Sequence, residues 1–134
     1  MRLKIIVLVP LLLFGCKKNK DSADPSPIPS PVNVAGVWNG SLGSSTAPTR
    51  ALVLTLAQTG GSMTGTFNIN AGGATGTVSG SVSRNTLTFT ATQTTPCAGS
   101  FTGDADVSGN AMDGTLVGTS ICGGAFNGAF FVDR

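Results

Sequence analysis

The acidic run Asp104-Ala105-Asp106-Val107-Ser108-Gly109-Asn110 sets oxygen-bearing side chains two residues apart ahead of a glycine, the way a calcium-binding loop begins. Such a loop needs a bidentate glutamate at its twelfth position. Here that position is Thr115, and residues 33–134 contain no Glu. The same residues therefore read as the outward face of a strand running into a Ser-Gly-Asn turn. Acid–base and nucleophilic catalysis fare no better. Residues 33–134 hold four Asp and three Arg, with no His, Lys, Glu or Tyr. Ser and Thr are abundant, but no neighbouring base would activate them. The sequence implies no enzyme, no catalytic residue, no metal site and no cofactor.

Three cysteines carry the remaining chemistry: Cys16, Cys97 and Cys122. Cys16 closes a leader made of a basic start (Arg2, Lys4), the apolar run Ile5–Phe14, and Gly15. The run is short of the ~20 residues a spanning helix needs and has the layout of a signal peptide. Leu13-Phe14-Gly15-Cys16 resembles the bacterial lipobox. That resemblance implies cleavage before Cys16 and acylation of its thiol, palmitate being one such chain. Buried acyl chains contribute roughly 0.8 kcal/mol per CH₂ and would hold the protein to a lipid bilayer. Lys17, Lys18 and Lys20 follow and suit anionic headgroups. Lys rather than Asp at position 17 implies, by analogy with Gram-negative lipoprotein sorting, the outer membrane of a bacterial cell envelope. Asp21–Val32, with alternating Pro and Ser, reads as a semi-rigid tether. The expected organisation is a removed signal over 1–15, a lipidated tether over 16–33 and a folded domain over 34–134.

The elements of that domain follow from period two. Apolar residues or glycines alternate with Thr, Ser, Asn and Asp along eight segments. Leu52, Leu54 and Leu56 share one face, as do Met63, Phe67 and Ile69, Leu87 and Phe89, and Phe126, Phe130 and Val132. No window has a helical period. The expected fold is all-β: an eight-stranded antiparallel up-and-down β-barrel, which leaves no sheet edge exposed.

Asn39-Gly40, Asp113-Gly114 and Asn127-Gly128 would ordinarily mark hairpin turns. Turns there would leave stubs of three or four residues, so these pairs are assigned to strand interiors. Inward glycines at 36, 40, 65, 76, 80, 103, 114, 118 and 128 are expected to let strands coil tightly under large neighbours; the alternative is that they open a cavity. Links 2–3, 4–5 and 6–7 read as tight turns at one end. Links 1–2 (43–49), 3–4, 5–6 and 7–8 read as longer loops at the other. Cys97 falls in link 5–6 and Cys122 in link 7–8, so strand counting brings them together as a disulfide suited to an oxidising compartment.

Gly36-Val37-Trp38 on the first strand resembles the opening of the calycins: lipocalins, fatty-acid-binding proteins and avidins. In lipocalins that Trp sits at the closed end under a basic side chain from the last strand, which implies a plug of Trp38 and Arg134. The stretch "GVWNGSLGSS" is also similar to the avidin opening, with Ser44 in step. The Asn that avidins use for biotin falls on Gly40, and this chain has one Trp.

Residues 33–134 carry a charge of 3 − 4 = −1 with no basic patch interleaved with aromatics, so nucleic acid is not an implied partner. The expected function is a membrane-anchored β-barrel binding module for a small apolar or amphipathic ligand. Its site would lie at the loop-rich end and be lined by Leu42, Ser44, Leu52, Ile69 and Phe126. The alternatives are an envelope protein-interaction module, such as a hydrolase inhibitor, and a structural lipoprotein with no ligand. An internal cavity separates the first from the other two.

Overall fold

The computed structural model describes residues 30–134 and consists of eight strands with no helix among them. They are β1 (Gly36–Ser44), β2 (Ala47–Thr59), β3 (Ser62–Ile69), β4 (Ala74–Ser83), β5 (Thr86–Thr95), β6 (Gly99–Ser108), β7 (Ala111–Ser120) and β8 (Gly124–Asp133). Each pairs antiparallel with the next, and β1 pairs with β8 from Asn39↔Asp133 to Gly43↔Ala129, closing the barrel. This is the up-and-down arrangement that the period-two pattern implies, and it is consistent with a calycin-like fold. Asn39-Gly40, Asp113-Gly114 and Asn127-Gly128 lie within β1, β7 and β8. The expected signal segment over 1–15 and Cys16 lie outside the described residues.

Outside, the strands present hydroxyls. One rung runs Thr55, Thr66, Thr77, Thr92, Ser100 and Thr119 across six consecutive strands. Inside, large and absent side chains alternate around the wall. The rung Met63, Gly80, Phe89, Gly103, Leu116, Gly128 steps from β3 to β8. The glycines are required by closeness. A Cβ on Gly103 would run into the Thr115 carbonyl oxygen and the Phe89 ring, and one on Gly80 into the Thr88 carbonyl oxygen. The wall is coiled so strongly that only glycine fits where one strand folds over the next, and the large neighbour fills the space a side chain would take.

One link differs from expectation. The polar stretch 43–49 does not form a loop: only Ser45 and Thr46 separate β1 from β2. Leu42 pairs with Arg50 and Ser44 with Ala47, so Gly43 faces two residues, Pro48 and Thr49. Proline cannot donate to a ladder and is accommodated at such a bulge. The polarity of the stretch reflects the bulge rather than a loop. The other links at this end are Asn70–Gly73, 96–98 and 121–123, against two-residue turns at 60–61, 84–85 and 109–110.

Candidate functional site: an apolar cavity with one open end

The two ends of the barrel are built differently. At the end with the turns 60–61, 84–85 and 109–110 the interior is full. Trp38, Met63, Leu87, Met112 and Val132 are completely buried there with Val34. The segment before β1 crosses the opening as a strap. Val32 N–H donates to the Arg84 carbonyl at 2.7 Å. Val34 N–H donates to Gln58 Oε1 at 2.7 Å, and Gln58 Nε2 donates to the Val32 and Gly60 carbonyls at 2.9 and 2.8 Å. Trp38 Nε1 donates to the Val34 carbonyl at 2.8 Å, which satisfies the one polar atom of a buried ring. The Arg134 guanidinium lies 4.3 Å from the centre of that ring and donates to the Asn33 and Ala35 carbonyls. Val32 and Asn33 thus belong to the folded unit, although their composition continues the tether.

At the other end the interior is hollow. A cavity of about 330 Å³ opens there, walled by residues of all eight strands. Leu42 and Leu52 are buried in its wall, and Ile69 and Phe126 are half-buried near its mouth. Two edge-to-face aromatic pairs shape it: Phe89 on Phe130 with centroids 5.8 Å apart, and Phe101 on Phe126 at 6.5 Å. Ser44 is not in the wall. Its hydroxyl faces that of Thr46 at 3.3 Å within the turn, because the bulge breaks the inward alternation after Leu42. Thr46 and Ala47 take its place in the lining.

Of the other polar residues at this end, Gln93 and Ser120 line the cavity. Asn70 is occupied in accepting the Ala51 N–H at 3.1 Å. Cys97 and Cys122 are joined with Cα atoms 6.0 Å apart, tying link 5–6 to link 7–8 beside the mouth. Gln93 Nε2 donates to the Cys97 carbonyl at 3.0 Å, bracing the same corner.

Two residues escaped the sequence reading. Gln58 and Arg50 extend the inward series Leu52, Leu54, Leu56 by one step at either end of β2. The strict period two was the signal that could have found them; a polar residue in an apolar series reads as the end of the series. Gln58 serves the strap, and Arg50 stands at the mouth of the cavity.

Among the described residues no group of three His, Cys, Asp or Glu could hold a metal ion. Asp104, Asp106, Asp113 and Asp133 are exposed on outward positions of the strands, so the cavity wall offers packing surface and hydroxyls rather than acid–base groups. No protein-family model, no curated protein and no solved structure matches this chain.

Proposed function

We propose that the barrel is a binding module for a small apolar or amphipathic ligand, carried on an exported chain that is anchored to a bacterial envelope membrane through acylated Cys16. The cavity is the observation that supports it. Close packing is the rule in protein interiors, and natural voids of this size are uncommon without a ligand. An apolar cavity of ~150 Å³ holds one benzene. The cavity here, about 330 Å³, suits a ligand on the order of a dozen non-hydrogen atoms. An apolar wall with a few polar groups at its rim is the usual make-up of such sites. The disulfide beside the mouth restrains two links in advance and lowers the ordering cost of binding.

The test is a titration of a neutral apolar fluorophore of naphthalene size. We expect saturable binding that Leu52→Trp abolishes while the fold is retained, because an indole at position 52 would occupy the cavity. No binding to the unaltered chain would leave the interaction and structural readings. The anchor is tested separately. Cys16→Ser should abolish acylation and, because the same cysteine marks the cleavage point, change both the mass and the membrane partitioning of the chain. Unchanged mass and partitioning would remove the anchor from the proposal.

A second reading, as a protein-interaction module, draws on Ile121. This side chain is 81% exposed in link 7–8 next to Cys122, an apolar tip on the rim. Capture of an envelope protein that Ile121→Ser abolishes would favour it.

A further inference from the structure

We propose that Arg50 makes the mouth of the cavity selective for an anionic amphiphile, a small carboxylate whose aliphatic tail enters the barrel; this rests on the ligand-binding reading above. Arg50 continues the inward face of β2 beyond Leu52 and pairs directly across the ladder with the buried Leu42. Directly paired residues point to the same side of a sheet, which places Arg50 over the cavity rather than on the outer wall. It is the one charged residue in the lining.

The distribution of the other charges strengthens the point. Arg84 and Arg134 lie at the strapped end. Asp106 pairs with Asp113 across β6 and β7 and, like Asp104 and Asp133, is exposed on the outer surface. Among the described residues Arg50 makes no ion pair, and the residue is exposed. It is therefore hydrated in the empty barrel at no burial cost. Its planar fork is free to accept a carboxylate in two parallel hydrogen bonds. Thr46 and Ser120 add hydroxyls to the same lining. A cation of the same shape would meet like charge, and a neutral alcohol would leave the fork to water.

Octanoate has ten non-hydrogen atoms, within the size the cavity admits. Isothermal titration of the exported full chain carrying Cys16→Ser would compare octanoate, 1-octanol and octylammonium at neutral pH and low salt. Octanoate should bind about tenfold tighter than 1-octanol, in keeping with one charge-assisted contact at a partly exposed site. Octylammonium should bind more weakly than either. Arg50→Gln should erase the preference by bringing octanoate affinity down to that of 1-octanol, with the melting temperature unchanged because Arg50 is exposed, and Arg50→Lys should keep part of it. Raising the salt to 1 M should shrink the preference in the unaltered chain. Equal affinity for octanoate and 1-octanol, or a preference that survives Arg50→Gln, would overturn the assignment to Arg50 and leave the cavity reading standing. Absence of heat with all three ligands, together with no uptake of the neutral fluorophore, would overturn both.

Discussion

At the scale of single residues, the fold turns on side chains that are missing. Gly103 sits where the Thr115 carbonyl and the Phe89 ring leave no room for a Cβ. Gly103→Ala should therefore cost about 3 kcal/mol or more, the upper range for overpacking, because backbone as well as side chain must move. Gly61→Ala is the contrast, since its Cβ would meet nothing nearer than the Val82 carbonyl at 3.3 Å; its cost should stay below about 1 kcal/mol. Urea denaturation of the two variants decides, and equal losses would show that the strand crossings are not what glycine serves.

The positions of the inward glycines such as Gly80 and Gly103 were legible in the sequence, because each falls on the apolar parity of its strand. Their purpose as crossing points was legible for most of them, since a glycine facing a large partner satisfies both coiling and filling; Gly36 is the exception, with a φ of +129° and only the Arg134 guanidinium at 3.7 Å from where a Cβ would sit. Arg50 and Gln58 were not read, although they obey the same parity. A charged or amide side chain turned inward makes sense only once one knows which end is open and which is strapped. That depends on contacts more than twenty residues away in sequence.

At the scale of elements, period two implies all eight strands and their order, and strand counting puts Cys97 and Cys122 at one end, where the two are joined. It failed where a strand departs from the period. The Pro48-Thr49 bulge shifts parity between Leu42 and Ser44, which turned an extension of β2 into an apparent loop and moved Ser44 out of the cavity wall. The strap was hidden for a different reason. Val32–Val34 has no partner strand and continues a proline- and serine-rich stretch, so nothing local distinguishes it from a tether.

Its importance can be measured. Gln58 makes three hydrogen bonds with the strap and the adjoining turn, accepting one and donating two, and it is half-buried. Gln58→Ala should lower stability by about 2–3 kcal/mol, the cost of leaving strap amide and carbonyl groups without partners. Trp38 emission should shift to longer wavelength as water reaches the ring. Uptake of the neutral fluorophore should be unchanged, because the cavity lies at the other end. A stability change under about 0.5 kcal/mol with unshifted emission would show that the strap holds without Gln58.

At the scale of the whole molecule, the barrel is a cup, solid at its foot and hollow at its rim. The foot is also where the chain enters. Fifteen residues separate Cys16 from Val32, and a fully extended chain of that length reaches at most about 50–55 Å. Whatever holds the chain at its N-terminal side is therefore attached at the foot, through Val32 and Val34, at the end opposite the rim. Under the proposed anchoring, the bilayer lies beneath the foot and the opening looks into the aqueous space. Loading would then occur from solution, with cargo arriving from the side opposite the surface that holds the cup.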